Sequence, residues 1–140
     1  MINSIINGIS IAINAAFGDG YTIYSEEIKQ GLKEPCFSIM CLNPTSTQVL
    51  NRRYFRKNLF CIQYFPKDAD KNEEINNVVE CLFSCLEYIT VDANLTRGTE
   101  MHNETIDGVI NFFVNYDMFM YRTIDSTMME DLSTNTDVKG

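Results

Sequence analysis

Residues 51–65 read NRRYFRKNLFCIQYF, and from Arg53 onward no glycine or proline interrupts them. In an extended chain one face carries Tyr54, Arg56, Asn58, Phe60, Ile62 and Tyr64, and the other carries Phe55, Lys57, Leu59, Cys61, Gln63 and Phe65. Side chains of that kind suit a pleated surface, so 53–65 is predicted to be a long strand. A single strand cannot bury itself, and this one requires a sheet.

The residues that follow change period. PKDADKNEE breaks the strand, and Ile75, Val78, Val79, Leu82, Phe83 and Leu86 then recur three and four apart. That stripe predicts a helix over 71–88. Asp70 with Glu73 fits a capping box, and Glu73 and Glu74 suit the positive end of the helix dipole.

Working outward, Ile2, Ile5, Ile6, Ile9, Ala12, Ile13, Ala16 and Phe17 share one helical face, with Asn3, Asn7, Ser10 and Asn14 opposite. A helix is expected there, ended by GDG at 18–20. YTIYSEEI (21–28) alternates loosely and reads as a strand. CFSIMCL (36–42) is nearly all apolar and reads as a strand covered on both faces. NPTSTQ (43–48) has the composition of a loop. LTRGTEMHNETI (95–106) reads as a polar strand, DG (107–108) as a two-residue turn, and VINFFVNYDMFMYR (109–122) as a long second strand. Ile110, Phe112, Val114, Tyr116, Met118 and Met120 make one face of that last strand wholly apolar or aromatic.

The order helix, three strands, helix, two strands predicts an α+β domain over 1–122: a mostly antiparallel sheet of about five strands with both helices on one face. Residues 123–140 lack aromatic side chains and read as a flexible tail or an arm.

The 140 residues suit one domain, and 45% hydrophobic residues suit a packed core. A net charge of −8 argues against general binding to nucleic acid or anionic membrane. The apolar start lacks a basic n-region and a cleavage site, so it is not read as a signal peptide, and the protein is expected to be cytoplasmic where it is made. No membrane span is expected. Five cysteines without a secretion signal favour free thiols.

Little chemistry is legible. His102 is the one histidine, and any serine or cysteine nucleophile needing a histidine base would have to use it. It is read as an exposed strand residue. Cys81 and Cys85 stand four apart on the second helix, but no C-x₂-C pair accompanies them, so they are read as small apolar groups and not as metal ligands. No phosphate-loop motif occurs. The chain is expected to be no enzyme and to need no cofactor.

Arg52, Arg53, Arg56 and Lys57 are therefore the candidate functional residues: four of the eleven basic residues within six positions, interleaved with aromatics. A base-stacking strand would use such residues, but the stretch lacks the glycines of an RRM motif. A basic strand meeting acidic surfaces of a neighbouring subunit fits an acidic protein better.

Several stretches taken together, IYSEEIKQGLKEPCFSI, LNPT, RRYFRKNLFCIQYFP, ECLFSCLEYI and DGVINFFVNYDMF, resemble the small tail terminator proteins of phages and phage-tail-like particles, over about residues 1–122. The resemblance implies a structural protein of the tail and neck. It implies a homo-oligomer, a hexameric ring, that caps the tail tube protein, stops its polymerisation and offers a surface to the neck or head connector. In a contractile particle the sheath protein is a further partner. DNA at most passes through the lumen. Another neck or connector role and a nucleic-acid-binding module remain the alternatives.

Overall fold

A computed structural model describes residues 1–25, 33–67 and 72–121. The elements run α1 (Ile2–Phe17), β1 (Thr22–Tyr24), β2 (Cys36–Leu50), β3 (Arg53–Phe65), α2 (Asn72–Cys85), β4 (Tyr88–Val91), β5 (Asn94–Arg97), β6 (Thr99–Ile106), β7 (Val109–Asn115) and β8 (Met118–Tyr121). Two helices with a mixed, mostly antiparallel sheet make the α+β class that was expected. The sheet has six strands in the order β1-β2-β3-β7-β6, with β8 also paired to β3, and β4 and β5 form a separate two-stranded sheet. Only β1 on β2 is described as parallel.

By contacts the described residues divide into two compact units, one within 1–45 and 57–117, the other of 46–56 and 118–121. The first unit holds the core. Ile62 of β3 stands opposite Phe112 of β7, and Tyr64 opposite Ile110. Directly paired residues point to the same side of a sheet, so these four make one face. All four are fully buried, as are Ile5, Ile9 and Ile13 of α1 and Leu82 of α2. The aromatic rings show what lies over this face. Phe83 of α2 meets Phe112 edge-on at 5.0 Å, and Phe37 packs at a tilt between Phe17 of α1 and Tyr64, at 5.0 and 4.9 Å. Both helices therefore cover the same face, as the pattern predicted.

The bounds of β3 and α1 match the periodicity, and other elements depart from it. The strand expected over 36–42 runs on to Leu50, so NPTSTQ is strand and not loop. Residues 43–50 are exposed on both faces, which leaves a polar run without the alternation that marks a half-buried strand. Asn43 takes φ 44, and its tolerance of the left-handed region lets the chain pass the irregular point. The strand expected over 21–28 is described only as Thr22–Tyr24, and residues 26–28 lie outside the described residues. The helix expected over 71–88 covers Asn72–Cys85; one further helical hydrogen bond, Leu86 N–H to Leu82 C=O, closes it before Tyr88 and the β-branched run at 89–91 begin a strand. Residues 70 and 71 are not described, so the capping box at Asp70 lies outside the described residues.

The polar strand expected over 95–106 is two strands in two sheets. β5 pairs back onto β4 through Asp92 and Ala93, both at positive φ, while β6 pairs with β7. Gly98 is the joint. A Cβ there would lie 2.7 Å from Leu86 O and 2.7 Å from Val114 Cγ2. Only glycine lets the backbone pass that closely. The turn at Asp107–Gly108, with φ of 52° and 78°, is as expected for a two-residue hairpin.

The strand expected over 109–122 is likewise divided, at a step where Tyr116 N–H still donates to Asn58 C=O at 2.9 Å while side chains take the other bonds. Asn58 N–H donates to the Asp117 carboxylate at 3.3 Å, and the Asn58 side-chain amide donates to Tyr116 C=O at 3.0 Å.

Candidate interaction surfaces

The second unit is built around the tip of the β2–β3 hairpin. Asn51 and Arg52 form the turn; Asn51 takes φ 48, and the Gln48 side-chain amide donates to its carbonyl. β8 pairs with the first four residues of β3, Arg53 opposite Tyr121, Tyr54 opposite Met120, Phe55 opposite Phe119 and Arg56 opposite Met118. No described residue of this unit is buried. Yet it carries Val49, Leu50, Phe119 and Tyr121, each more than half exposed. It also carries three arginines, and among its described residues no aspartate or glutamate.

The predicted site residues fall as follows. Arg52 is exposed on the turn. Arg53 is half-buried, its guanidinium 4.1 Å over the Phe119 ring, which also packs on Phe55 at 4.9 Å. Arg56 is half-buried and donates to Met120 Sδ at 3.6 Å. The Nε atoms of Arg53 and Arg56 are shielded from solvent without an acceptor. Lys57 is exposed and belongs to the first unit. The structure thus gathers three of the four residues on one ribbon. Among the described residues none of the four meets a carboxylate. A guanidinium held over an aromatic ring keeps its charge and its outward N–H donors, so the ribbon presents positive charge on an apolar support.

The apolar face of the last expected strand is spent, up to Tyr116, inside the first unit. Ile110, Phe112, Val114 and Tyr116 are buried inside the chain's own core and offer nothing to a neighbour. Tyr116 donates its hydroxyl to Leu86 C=O at 2.6 Å, and burial pushes that phenol's pKa up.

A second surface in the first unit was not visible in the sequence. Phe17 and Tyr21, flanking the glycine at 18, face the first turns of α2 across an open groove of about 680 Å³, also lined by Asn72, Glu73, Glu74, Asn77 and Val78. The two rings meet edge-on at 5.5 Å. Glu74 accepts a hydrogen bond from Tyr64 at 2.8 Å, and burial beside that carboxylate pushes the Tyr64 pKa up. Glu73 and Asn77 stand exposed on the rim.

The remaining candidates are structural. His102 is exposed, stacked on Phe113 at 4.8 Å, with Nδ1 3.4 Å from Glu100 O. The five cysteines are free thiols. Burial pushes Cys61 up to about 11, and burial beside Cys81 pushes Cys85 up to about 12. Such thiols are poor nucleophiles at neutral pH. No group of three or more metal-ligating side chains occurs among the described residues. None of the described helices is long and apolar enough to cross a membrane.

What the described residues offer is surface: a charged ribbon none of whose described residues is buried, and a groove, on an α+β scaffold. The family model described as phage tail terminator protein matches residues 4–128, and the chain belongs to that family. Membership makes it a structural component of the virion tail that associates with other tail parts. The match extends six residues past the 1–122 span over which the resemblance was read, into the segment expected to be a tail. No curated protein matches the chain.

Proposed function

We propose that this chain ends tail growth by closing into a ring on the last layer of the tail tube, and that the ring then receives the neck or head connector. A hexamer is the expected closure, with the sheath as a further neighbour if the tail contracts. The carrying observation is the ribbon of 46–56 and 118–121, which exposes aromatic and aliphatic side chains beside three arginines and has no buried side chain among its described residues. A monomeric protein gains nothing from such a segment. A heterologous contact repeated around a ring uses it once per subunit.

Arg52, Arg53, Arg56 and Lys57 are the interface residues of this proposal. They stand in a chain whose other seven basic residues face all nineteen acidic ones. Opposed charge of that kind guides and orders subunit contact more than it adds raw affinity. The same imbalance makes DNA a poor target: if DNA crosses the lumen, an acidic lining favours passage over sticking.

The test is a producing host that lacks this chain. Its tails should grow past their normal length and fail to join a neck, and the supplied chain should restore uniform length by electron microscopy. Tails of normal length without the chain would refute the role. Tight binding of the purified chain to duplex DNA with a steep salt slope would instead favour the nucleic-acid alternative.

A further inference from the structure

We infer that the cationic ribbon of one copy seats in the groove between Phe17, Tyr21 and the start of α2 on the next copy. The inference rests on the ring proposed above and names the contact that builds it. Two independent features point to each other. The ribbon carries Arg52 and Arg53 among exposed apolar side chains, with no carboxylate of its own among the described residues. The groove offers the matching set: Glu73 and Glu74 for charge, the Phe17 and Tyr21 rings for stacking, and Val78 as an apolar floor.

The balance of charge in the groove needs weighing. The start of α2 carries a partial positive charge of roughly half an elementary unit. Two carboxylates in its first turn outweigh that, and among the described lining residues no cation opposes them. Arginine suits such a place better than lysine, because a planar guanidinium can stack on a ring and still pair with a carboxylate. Glu74 accepts the Tyr64 hydroxyl on one carboxylate oxygen, and among the described residues the other has no hydrogen-bond partner. Exposed Glu73 has no hydrogen-bond partner among the described residues. The occupant is thus a second copy of this chain, chosen by charge and by the pairing of rings with arginine.

Charge exchange tests the contact. One variant carries Arg52→Glu and Arg53→Glu. A second carries Glu73→Lys and Asn77→Lys, which spares Glu74 and its bond into the core. A third carries all four changes. Circular dichroism and melting verify that each is folded, and sedimentation velocity with full-length chain measures self-association. Each two-residue variant should weaken association at least ~10-fold, and the four-residue variant should recover most of that loss, since opposite charges again face each other. Groove changes without effect on association, or a four-residue variant no better than the ribbon variant, would overturn the inference. Wild-type chain that stays monomeric at ~1 mM while tails still end at normal length would also overturn it, and would leave the tail-ending role standing. Tails that end normally without the chain would remove that role instead.

Discussion

The cored unit and the ribbon use similar residues to opposite ends. Phe112 and Phe119 stand seven positions apart, each on a strand paired with β3. Phe112 is fully buried, packed on Phe83. Phe119 is 51% exposed, and its ring supports a guanidinium. The first aromatic stabilises the chain; the second is left for something outside it. Seven positions put them on opposite faces of the strand expected over 109–122, Phe112 on the wholly apolar one and Phe119 on the one with Asn111, Asn115 and Asp117. Phe112 packs under α2, whereas the ring contacts of Phe119 are with Phe55 and Arg53 of its own ribbon.

The sharpest break in the comparison is Phe112→Ala. Removing a fully buried phenylalanine costs about 3–5 kcal/mol, against a total domain stability of about 5–15 kcal/mol. Thermal melting should fall steeply or cooperativity should vanish. A loss of under about 1 kcal/mol would mean that the face is not the core.

Gly98→Ala comes next. The added methyl would meet Leu86 O and Val114 Cγ2 at 2.7 Å, and one of those is backbone and cannot swing aside. Overpacking of this kind costs about 1–3 kcal/mol. The expected result is a lower melting temperature with β4 and β5 the first region to lose amide protection. An unchanged melt would show that β5 and β6 have room to part at this joint.

How far the fold was legible follows from these same places. The stripes of α1 and α2 and the alternation of β3 were readable because each buries one face, and burial imposes a period. Residues 43–50 bury neither face, so nothing in them marked a strand. The β4–β5 hairpin turns on Asp92 and Ala93, and alanine at φ 68 gives none of the usual turn signal. Gly98 sat inside a polar run and looked like an ordinary strand residue until its neighbours were known. Of the functional surface, the four cations were visible as a cluster, since sequence proximity is enough to see that. The groove was not, because it joins Phe17 and Tyr21 to residues more than fifty positions away.

Alkaline pH distinguishes the units by titration. Below pH 9 the folded and unfolded chains both keep the Cys61 and Cys85 protons. Above it the unfolded thiols ionise first, because burial holds the folded ones near about 11 and about 12. The unfolded state then binds fewer protons, so stability falls as pH rises from 9 toward those values. The raised phenols of Tyr64 and Tyr116 act in the same direction. All four groups belong to the first unit. Melting should therefore decline from pH 9 upward, and the double change Cys61→Ala and Cys85→Ala should flatten part of that decline. A melt that rises with pH above 9 would contradict this burial.

The smallest expected effect on the chain itself is the most informative about its use. Phe119→Ala removes a half-exposed ring, its contact with Phe55 and the seat under Arg53. An exposed cation–ring contact is worth about 0.5–1 kcal/mol. The melting temperature should move by a few degrees at most, far less than for Phe112→Ala. Self-association should suffer more. Without the ring, the Arg53 guanidinium loses the support that fixes its direction, and the ribbon loses apolar area that a neighbour would cover. The fall in association should therefore exceed what the loss of stability predicts, and Phe119→Tyr, which keeps a ring, should recover it. If Phe119→Ala lowers melting as much as Phe112→Ala does, the ribbon is part of the core and the contrast fails. If it changes neither melting nor association, the exposed ring has no partner and the surface lies elsewhere.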